Sequence, residues 1–264
     1  MRIFEAIILG AIQGLTEFLP VSSSGHLVLL QKIFHITEPT LLFDTVVHVG
    51  TLGAVFIVLW RDIGDILHHP FQRLTGLLIV ATAPTVLIAL LFKDLVEAAF
   101  TSGAFLGFAF LCTGALLFLA QKWSKHPGIT KTDRTMQWKD ALIIGVFQGV
   151  AIVPGVSRSG STLFAALTRR LDRNFAARFS FLLSIPAILG ALVLQVPEVL
   201  ENPSGGVSVV NLLAGALSAG VVGFFSIRGM LKVVRTGSLW GFTLYVILLG
   251  TLILGDQYGT HFLL

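Results

Sequence analysis

The residues best suited to catalysis lie in a short polar stretch that interrupts apolar sequence near the start of the chain. Residues 10–26 read GAIQGLTEFLPVSSSGH, in which Glu17 is followed by serines at positions 22–24 and by His26. A neighbouring base can activate a serine hydroxyl for attack, and glutamate or histidine can carry the proton. The pattern predicts a hydrolytic or group-transfer site; the alternative is that the serines only cap a helix.

A second stretch of the same kind lies in the other half of the chain. Residues 145–161 read GVFQGVAIVPGVSRSGS, and Thr162 follows directly. A charged side chain such as that of Arg158 costs free energy in apolar surroundings unless an anion accompanies it. Its planar guanidinium can donate two parallel hydrogen bonds to phosphate oxygens. Hydroxyls add donors, and a helix expected over 163–171 adds amides. The stretch predicts a phosphate site built from Arg158, Ser157, Ser159 and Thr162. Alternatively, Arg158 pairs internally with Glu17; the two arrangements are compatible.

The two stretches are copies of one pattern. At an offset of 135 positions, seven of seventeen residues coincide, among them Gly10 with Gly145 and Gln13 with Gln148. Repeated hydrophobic segments interrupted by glycine and proline indicate a site at the interface of two halves of a membrane protein. We therefore expect one membrane domain over 1–264, with repeat halves at about 1–120 and 140–255.

Other polar residues accompany these stretches. Gln13 and Glu17 are four positions apart and so share one helical face. An ionisable residue in a membrane segment indicates a functional site; the alternative is that both side chains satisfy neighbouring backbone groups. Asp44 and His48 are also one turn apart, and we expect interhelical hydrogen bonds from them rather than catalysis.

The composition places these stretches in a membrane protein. The 264 residues are 55% hydrophobic and 12% charged, with a mean hydropathy of +0.88, whereas a soluble domain carries about 25% charged residues. Basic residues interleaved with aromatics are missing, which argues against nucleic acid as a partner. The single cysteine, Cys112, excludes an intrachain disulfide, and we expect it to be a small core residue.

Apolar periodicity predicts an all-α integral membrane protein. Six segments are long enough to span a bilayer, namely 40–60, 74–92, 104–120, 175–196, 211–226 and 239–255. The two polar stretches fall in regions 3–34 and 141–171. Each stretch divides its region into two short predicted helices, and neither helix is long enough to cross the bilayer. We expect two re-entrant helical hairpins, which are tolerated at membrane depth when buried in protein.

Lysine and arginine predict the orientation. Fourteen of the eighteen, including Lys125, lie in segments 61–73, 121–140, 169–178 and 227–238. The positive-inside rule assigns these segments to the cytoplasm. Both termini then lie outside, and the two hairpins enter from opposite sides as an inverted-topology repeat.

The two motifs also carry a resemblance to a known family. QGLTEFLPVSSSGH at 13–26, PGVSRSGST at 154–162 and RFSFLLSIPAILGA at 178–191 resemble the undecaprenyl-diphosphate phosphatases, the bacitracin-resistance family. The resemblance covers essentially the whole chain. It puts Glu17, Ser23, His26, Arg158 and Thr162 on functional positions of that family. Relatives commonly have glutamate where this chain has Gln13, which is neither acid nor base.

The resemblance implies an activity and a location. The family removes the terminal phosphate of a C55 isoprenoid diphosphate at the outer face of the bacterial plasma membrane, which recycles the lipid carrier of cell-wall polymers. A divalent cation, Mg²⁺ or Ca²⁺, is implied, with Glu17 as its ligand. The partners are then the polyprenyl diphosphate and membrane lipids, and a homodimer is compatible with the sequence.

These roles combine into one mechanistic hypothesis. Ser23 attacks phosphorus, Glu17 and His26 move protons, and Arg158 holds the phosphates. The expected substrate-binding residues are Gln13, Ser22, Ser24, Ser157, Ser159 and Thr162. His26 or water remains open as the nucleophile. A lipid-phosphate flippase using the same pocket is the alternative function, because broken helices in inverted repeats are also typical of transporters.

Overall fold

The computed structural model is helical throughout the residues it describes, which are 1–36, 40–124, 130–201 and 207–260. Lys125 lies outside these ranges. Beyond one β-bridge between Lys131 and Leu171, the described ranges contain helices and connections. The helices are α1 (Ile3–Phe18), α2 (Ser23–Ile33), α3 (Leu41–Val58), α4 (Trp60–His68), α5 (Arg73–Leu91), α6 (Lys93–Ser102), α7 (Leu106–Trp123), α8 (Trp138–Val150), α9 (Arg158–Thr168), α10 (Arg173–Glu201), α11 (Val209–Thr236) and α12 (Trp240–Gly255), followed by a π-helical turn at Asp256–Thr260.

Six of these helices are long and apolar enough to cross a membrane. They are α3, α5, α7, α10, α11 and α12, which confirms the six predicted spans. The fifth differs in length, since α11 continues to Thr236 through the segment expected to be a cytoplasmic loop. Cys112 is exposed on α7, so the expectation that it belongs to the core is wrong.

The chemistry-bearing stretches form two broken helices, α1–α2 and α8–α9. Proline lacks a backbone N–H and disfavours helix in the residue before it. Accordingly, Leu19, which precedes Pro20, is extended and ends α1. In the second break Gly155 has φ +92°, a conformation that favours glycine. The helix expected over 163–171 begins earlier, at Arg158, and ends at Thr168.

Small residues let the broken helices approach their neighbours closely. α1 packs on α11 and α3, and α8 packs on α5. A Cβ on Gly10 would lie 2.2 Å from the carbonyl oxygen of Gly215, and one on Gly145 would lie 1.9 Å from that of Ala81. Such contact between backbones is typical of helices in membranes. Gly10 and Gly145 are paired positions of the sequence repeat and make the same kind of contact.

The breaks of the two broken helices meet beside α7. Ser159 Oγ donates to the carbonyl oxygen of Leu19 at 2.9 Å. Thr113 of α7 donates to the carbonyl oxygen of Gly155 at 3.0 Å and accepts from the amide of Ser157 at 2.9 Å. Backbone groups that the breaks leave free are thereby satisfied, and the two polar stretches share one buried centre.

The described parts of the four cation-rich segments also contact one another. This grouping agrees with the sequence count, which assigns all four segments to one side. The contacts are Arg73 with the carbonyl oxygen of Met136 at 2.5 Å, Arg178 with Asp62, Arg169 with Asp140 at 2.8 Å and Arg173 with the carbonyl oxygen of Val234 at 3.3 Å.

Candidate active site

Glu17, near the end of α1, is the centre of a buried polar cluster. Its Oε1 lies 2.6 Å from Nη2 of Arg158. Its Oε2 accepts hydrogen bonds from Ser23 Oγ at 2.5 Å and from Gln13 Nε2 at 3.1 Å. The Glu17 residue is 7% exposed. The structure thus brings together an acid, a serine and an arginine that the sequence analysis chose from different stretches.

The position of Ser23 follows from the local backbone. Ser22 caps α2, and its Oγ accepts a hydrogen bond from the amide of Gly25 at 3.3 Å. Its φ of +70° is rare for a residue with a side chain, and such strain clusters at functional sites. This turn lies between α1 and α2, and it places the Ser23 hydroxyl 2.5 Å from Glu17 Oε2.

Arg158 begins α9, and its side chain contacts α1 and α10. Besides Glu17, its guanidinium donates from Nη1 to the carbonyl oxygen of Ser180 in α10 at 3.3 Å. The side chain is 15% exposed. A guanidinium carries more N–H groups than these two bonds use. Arg158 can therefore hold Glu17 and still donate to an anion, so the ion pair and a phosphate site can coexist.

The other hydroxyl groups mainly stabilise the breaks. Ser157 caps α9 by accepting from the amide of Gly160 at 3.0 Å. The hydroxyl of Ser22 lies 3.3 Å from that of Ser24, and Ser157 lies 3.2 Å from Ser159 in the same way. Substrate binding by these serines stays a prediction.

Thr162 is fully buried, and its hydroxyl bonds to α10. The hydroxyl lies 2.6 Å from that of Ser180 and donates to the carbonyl oxygen of Arg158 at 3.0 Å. The structure therefore brings Thr162 to the helix that supports Arg158, and its contact with substrate also stays a prediction.

His26 is near the cluster, but its ring nitrogens bond elsewhere. Nδ1 lies 2.6 Å from the carbonyl oxygen of Ser22, which can only accept, so Nδ1 carries the hydrogen. Nε2 lies 2.7 Å from the hydroxyl of Tyr245 in α12, and the two rings stack at 5.7 Å. The structure does not join His26 to Glu17. Tyr245 was not among the residues predicted from the sequence, where its one signal is a phenol within an apolar span.

His48 takes the place beside Glu17 that we had expected for His26. Its Nε2 lies 3.8 Å from Oε2 of Glu17, and its Nδ1 lies 2.6 Å from the carbonyl oxygen of Asp44. Asp44 makes an interhelical hydrogen bond, accepting from Gln31 at 2.8 Å. The spacing of Asp44 and His48 had singled out both residues without indicating that His48 faces the acid.

The cluster has limited means to hold a metal ion. Among the described residues, no three His, Cys, Asp or Glu side chains group into a metal site. Glu17 is the cluster's carboxylate, and the buried Oε1 of Gln13 lacks a hydrogen-bond partner in the described part of the chain. Magnesium commonly binds through one or two carboxylates together with substrate phosphates. Glu17 and Gln13 therefore fit such an ion once phosphate oxygens complete the set.

Comparison with known proteins gives one consistent result. The model of the family described as bacitracin resistance protein BacA matches residues 6–252. An undecaprenyl-diphosphatase of Carboxydothermus hydrogenoformans is 48% identical over 264 residues, covering 99% of this chain and 100% of the relative. Undecaprenyl-diphosphatase 4 of Bacillus thuringiensis strain Al Hakam is 47% identical over 261 residues, covering 99% of each. An undecaprenyl-diphosphatase of Halothermothrix orenii is 42% identical over 256 residues, covering 96% of this chain and 98% of the relative.

Proposed function

The chain belongs to the bacitracin resistance protein BacA family, and from this premise we propose that it is an undecaprenyl-diphosphatase. It hydrolyses undecaprenyl diphosphate to undecaprenyl phosphate and inorganic phosphate, and so recycles the lipid carrier of cell-wall polymers. The observation that carries the proposal is the contact of Ser23 and Arg158 with one carboxylate, Glu17. The flippase alternative has no support from the relatives, which carry the name of a hydrolase.

In the proposed mechanism Ser23 is the nucleophile. Glu17 Oε2 takes the hydroxyl proton, the bond from Ser23 Oγ to the terminal phosphorus forms, and the bond from phosphorus to the bridging oxygen breaks. Undecaprenyl phosphate leaves with that oxygen. Glu17 passes the proton it took to the departing phosphate group. Water then attacks the phosphoserine and gives a proton to Glu17. Glu17 returns this proton to Ser23 Oγ as the bond from Ser23 Oγ to phosphorus breaks and inorganic phosphate leaves. The 2.5 Å hydrogen bond between Ser23 and Glu17 supports the first transfer, because a base must reach the proton it abstracts.

The geometry favours Ser23 over His26 as the nucleophile. The neutral ring of His26 has one nitrogen lone pair, on Nε2, and the hydroxyl of Tyr245 lies 2.7 Å from it. A lone pair that accepts this hydrogen bond is not available for attack on phosphorus. In our proposal His26 orders the Ser22 turn and exchanges protons with Tyr245.

Arg158 supplies positive charge where the reaction builds negative charge. Phosphoryl transfer is catalysed mainly by positioning and electrostatic stabilisation of the phosphoryl oxygens. Arg158 is the first residue of α9, so the amides at this helix terminus add partial positive charge. We propose that Arg158, these amides and the nearby hydroxyls hold the diphosphate.

A divalent cation is part of the proposal. Glu17 and the Gln13 amide oxygen would hold it together with the diphosphate oxygens, and the ion would neutralise phosphate charge. A homodimer remains a prediction from the sequence.

We further propose that α1–α2 and α8–α9 are re-entrant hairpins of an inverted repeat in the bacterial plasma membrane, with the reaction centre open to the outside. One contact near the start of each broken helix supports this placement. Met1 accepts from Asn211 at the start of α11 at 2.8 Å, whereas Asp140 at the start of α8 binds Arg169. The second contact belongs to the cation-rich group that the positive-inside rule assigns to the cytoplasm, and the first involves the opposite end of α11.

Release of inorganic phosphate from undecaprenyl or farnesyl diphosphate by the purified protein tests the function. We expect turnover in detergent with Mg²⁺ or Ca²⁺ supplied, and its loss with EDTA. Ser23→Ala, purified in the same way, controls for contaminating phosphatases and should be inactive. Equal release by the two proteins would contradict the proposal.

A further inference from the structure

Arg158 and Thr162, one turn apart at the start of α9, both contact a single residue of α10, Ser180. Nη1 of Arg158 donates to the Ser180 carbonyl oxygen at 3.3 Å, and the Thr162 hydroxyl lies 2.6 Å from the Ser180 hydroxyl. Ser180 is 2% exposed, and Thr162 is fully buried. Ser180 therefore joins the proposed phosphate-binding end of α9 to one of the long apolar helices.

The direction of the bond between the two hydroxyl groups follows from their other contacts. The Thr162 hydroxyl has one hydrogen and lies 3.0 Å from the carbonyl oxygen of Arg158 and 3.2 Å from that of Ser159, both of which can only accept. For the Ser180 hydroxyl, the Thr162 oxygen is the one acceptor within hydrogen-bond distance in the described part of the chain. Both buried hydrogens therefore have an acceptor only when Ser180 donates to Thr162.

This arrangement leaves Thr162 without a hydrogen for a phosphate oxygen. Its hydrogen is directed to carbonyl oxygens of its own helix, and its oxygen accepts from Ser180. A phosphate oxygen is an acceptor and needs a donor. The contacts of Thr162 therefore suit it to fixing the first turn of α9 rather than to binding substrate.

Arg158 needs such support because it is the first residue of its helix. α9 begins at Arg158, directly after the break, so no earlier helical turn holds this residue. Its guanidinium contacts Glu17 through Nη2 at 2.6 Å and the Ser180 carbonyl oxygen through Nη1 at 3.3 Å. The other N–H groups can donate to a diphosphate. A shift in the first turn of α9 would misplace these donors, and small misplacements slow catalysis greatly.

We infer that Ser180 is a positioning residue for the phosphate site. Its hydroxyl holds Thr162, Thr162 holds the carbonyl oxygen of Arg158, and Arg158 is thereby kept in place to bind the diphosphate. The inference rests on the proposed function. Ser180 forms and breaks no covalent bond in the reaction and acts on the substrate only through Arg158.

Kinetics of Ser180→Ala with undecaprenyl diphosphate test this role. Alanine removes the hydroxyl but keeps the carbonyl oxygen that Arg158 contacts, and we expect kcat/KM to fall about tenfold through misplacement of the arginine. Ser184→Ala is the matched control, because Ser184 is fully buried one turn further along α10. Its hydroxyl bonds within that helix, to the carbonyl oxygen of Phe181 at 2.6 Å, so Ser184→Ala should behave like the wild type.

Double variants separate positioning from a general loss of packing. If Ser180 acts through Arg158, adding Ser180→Ala to Arg158→Lys should slow the enzyme no further, whereas an independent loss of packing would add its own effect. Additive losses, or near-normal kcat/KM in folded Ser180→Ala, would overturn the inference. Thr162→Val should be about as slow as Ser180→Ala. A slow Thr162→Val beside a normal Ser180→Ala would show instead that Thr162 binds substrate itself.

Binding of inorganic pyrophosphate with Mg²⁺ gives a readout that needs no turnover. A ligand of the folded protein raises its melting temperature, and Ser180→Ala should need about tenfold more pyrophosphate than the wild type or Ser184→Ala for the same rise. An equal requirement in all three proteins would overturn the inference. A wild type that binds pyrophosphate but hydrolyses no undecaprenyl diphosphate would contradict the proposed function, and the pyrophosphate comparison would still decide the role of Ser180.

Discussion

The guanidinium of Arg158 lies 2.6 Å from the carboxylate of Glu17, although 141 positions separate the two residues. This ion pair joins the first broken helix to the second at the point where their breaks meet. Only 15% of the Arg158 side chain and 7% of the Glu17 side chain are exposed, so neither charge is well solvated. Breaking such a pair leaves a buried charge uncompensated, which makes each residue sensitive to substitution.

Arg158→Lys tests whether Arg158 acts through the paired N–H groups of its guanidinium or only through its positive charge. Lysine keeps the positive charge but cannot make two parallel hydrogen bonds to one phosphate. We expect turnover to fall by about 10²-fold or more, the scale for losing a donor to a developing oxyanion. Near-normal phosphate release by a folded Arg158→Lys protein would contradict bidentate recognition.

Glu17→Gln separates the charge of Glu17 from its shape. Glutamine fills the same volume but cannot accept the Ser23 proton, so we expect turnover to drop by about 10²-fold or more. Gln13→Ala removes a neighbour on the same helical face and should reduce turnover much less. If Gln13→Ala proved the more damaging change, the division of roles on this face would be wrong. Phosphate release under saturating substrate measures both.

A single cysteine tests the outward opening of the site. Ser24 is partly exposed, so Ser24→Cys in a Cys112→Ala background should react with a membrane-impermeant thiol reagent added to spheroplasts. Asp133→Cys in the same background is the matched control, because Asp133 is exposed among the cation-rich segments. It should react only in inverted vesicles. The reverse pattern of labelling would overturn the proposed orientation.

Gly145→Ala tests the close approach of α8 and α5. The added Cβ would lie 1.9 Å from the carbonyl oxygen of Ala81, so the helices must move apart. We expect a loss of about 1–3 kcal/mol, as for overpacking elsewhere, measured as a lower melting temperature in detergent. A Cβ on Gly53 meets no atom within 4 Å, so Gly53→Ala should leave the melting temperature unchanged or raised. Equal effects of the two changes would refute the packing argument.

Asp140→Asn tests the charge network at the start of α8. Burial raises the pKa of Asp140, but hydrogen bonds from Lys131, the Gln137 amide and Arg169 outweigh it, and the pKa is lowered overall. Because this pKa is lower in the folded chain, the ionised carboxylate stabilises the fold above about pH 4. This stabilisation is lost as pH falls through the folded-state pKa.

At pH 7 we therefore expect Asp140→Asn to melt roughly 5 °C below the wild type. The difference should shrink as the pH falls below about 4. A constant difference across this pH range would show that the charge of Asp140 is not what stabilises the network.

Much of this protein could be predicted from its sequence because the decisive signals are local. Apolar length predicts the six spans, and Pro20 and Gly155 predict where the two short helices break. Glu17, Ser23 and Arg158 could be chosen because a polar or charged side chain in apolar surroundings needs a partner. The repeat of Gly10 at Gly145 indicated that both broken helices would be placed in similar ways.

Which side chains face one another was decided only by the tertiary structure. His26 is much nearer to Glu17 in sequence than His48 is. Nevertheless, Nε2 of His48 lies 3.8 Å from the Glu17 carboxylate, whereas His26 bonds to Tyr245 across 219 positions. Spacing along the chain does not encode the rotation of one helix against another. That rotation follows from packing, which includes the close backbone contact of Gly10 on α1 with Gly215 on α11.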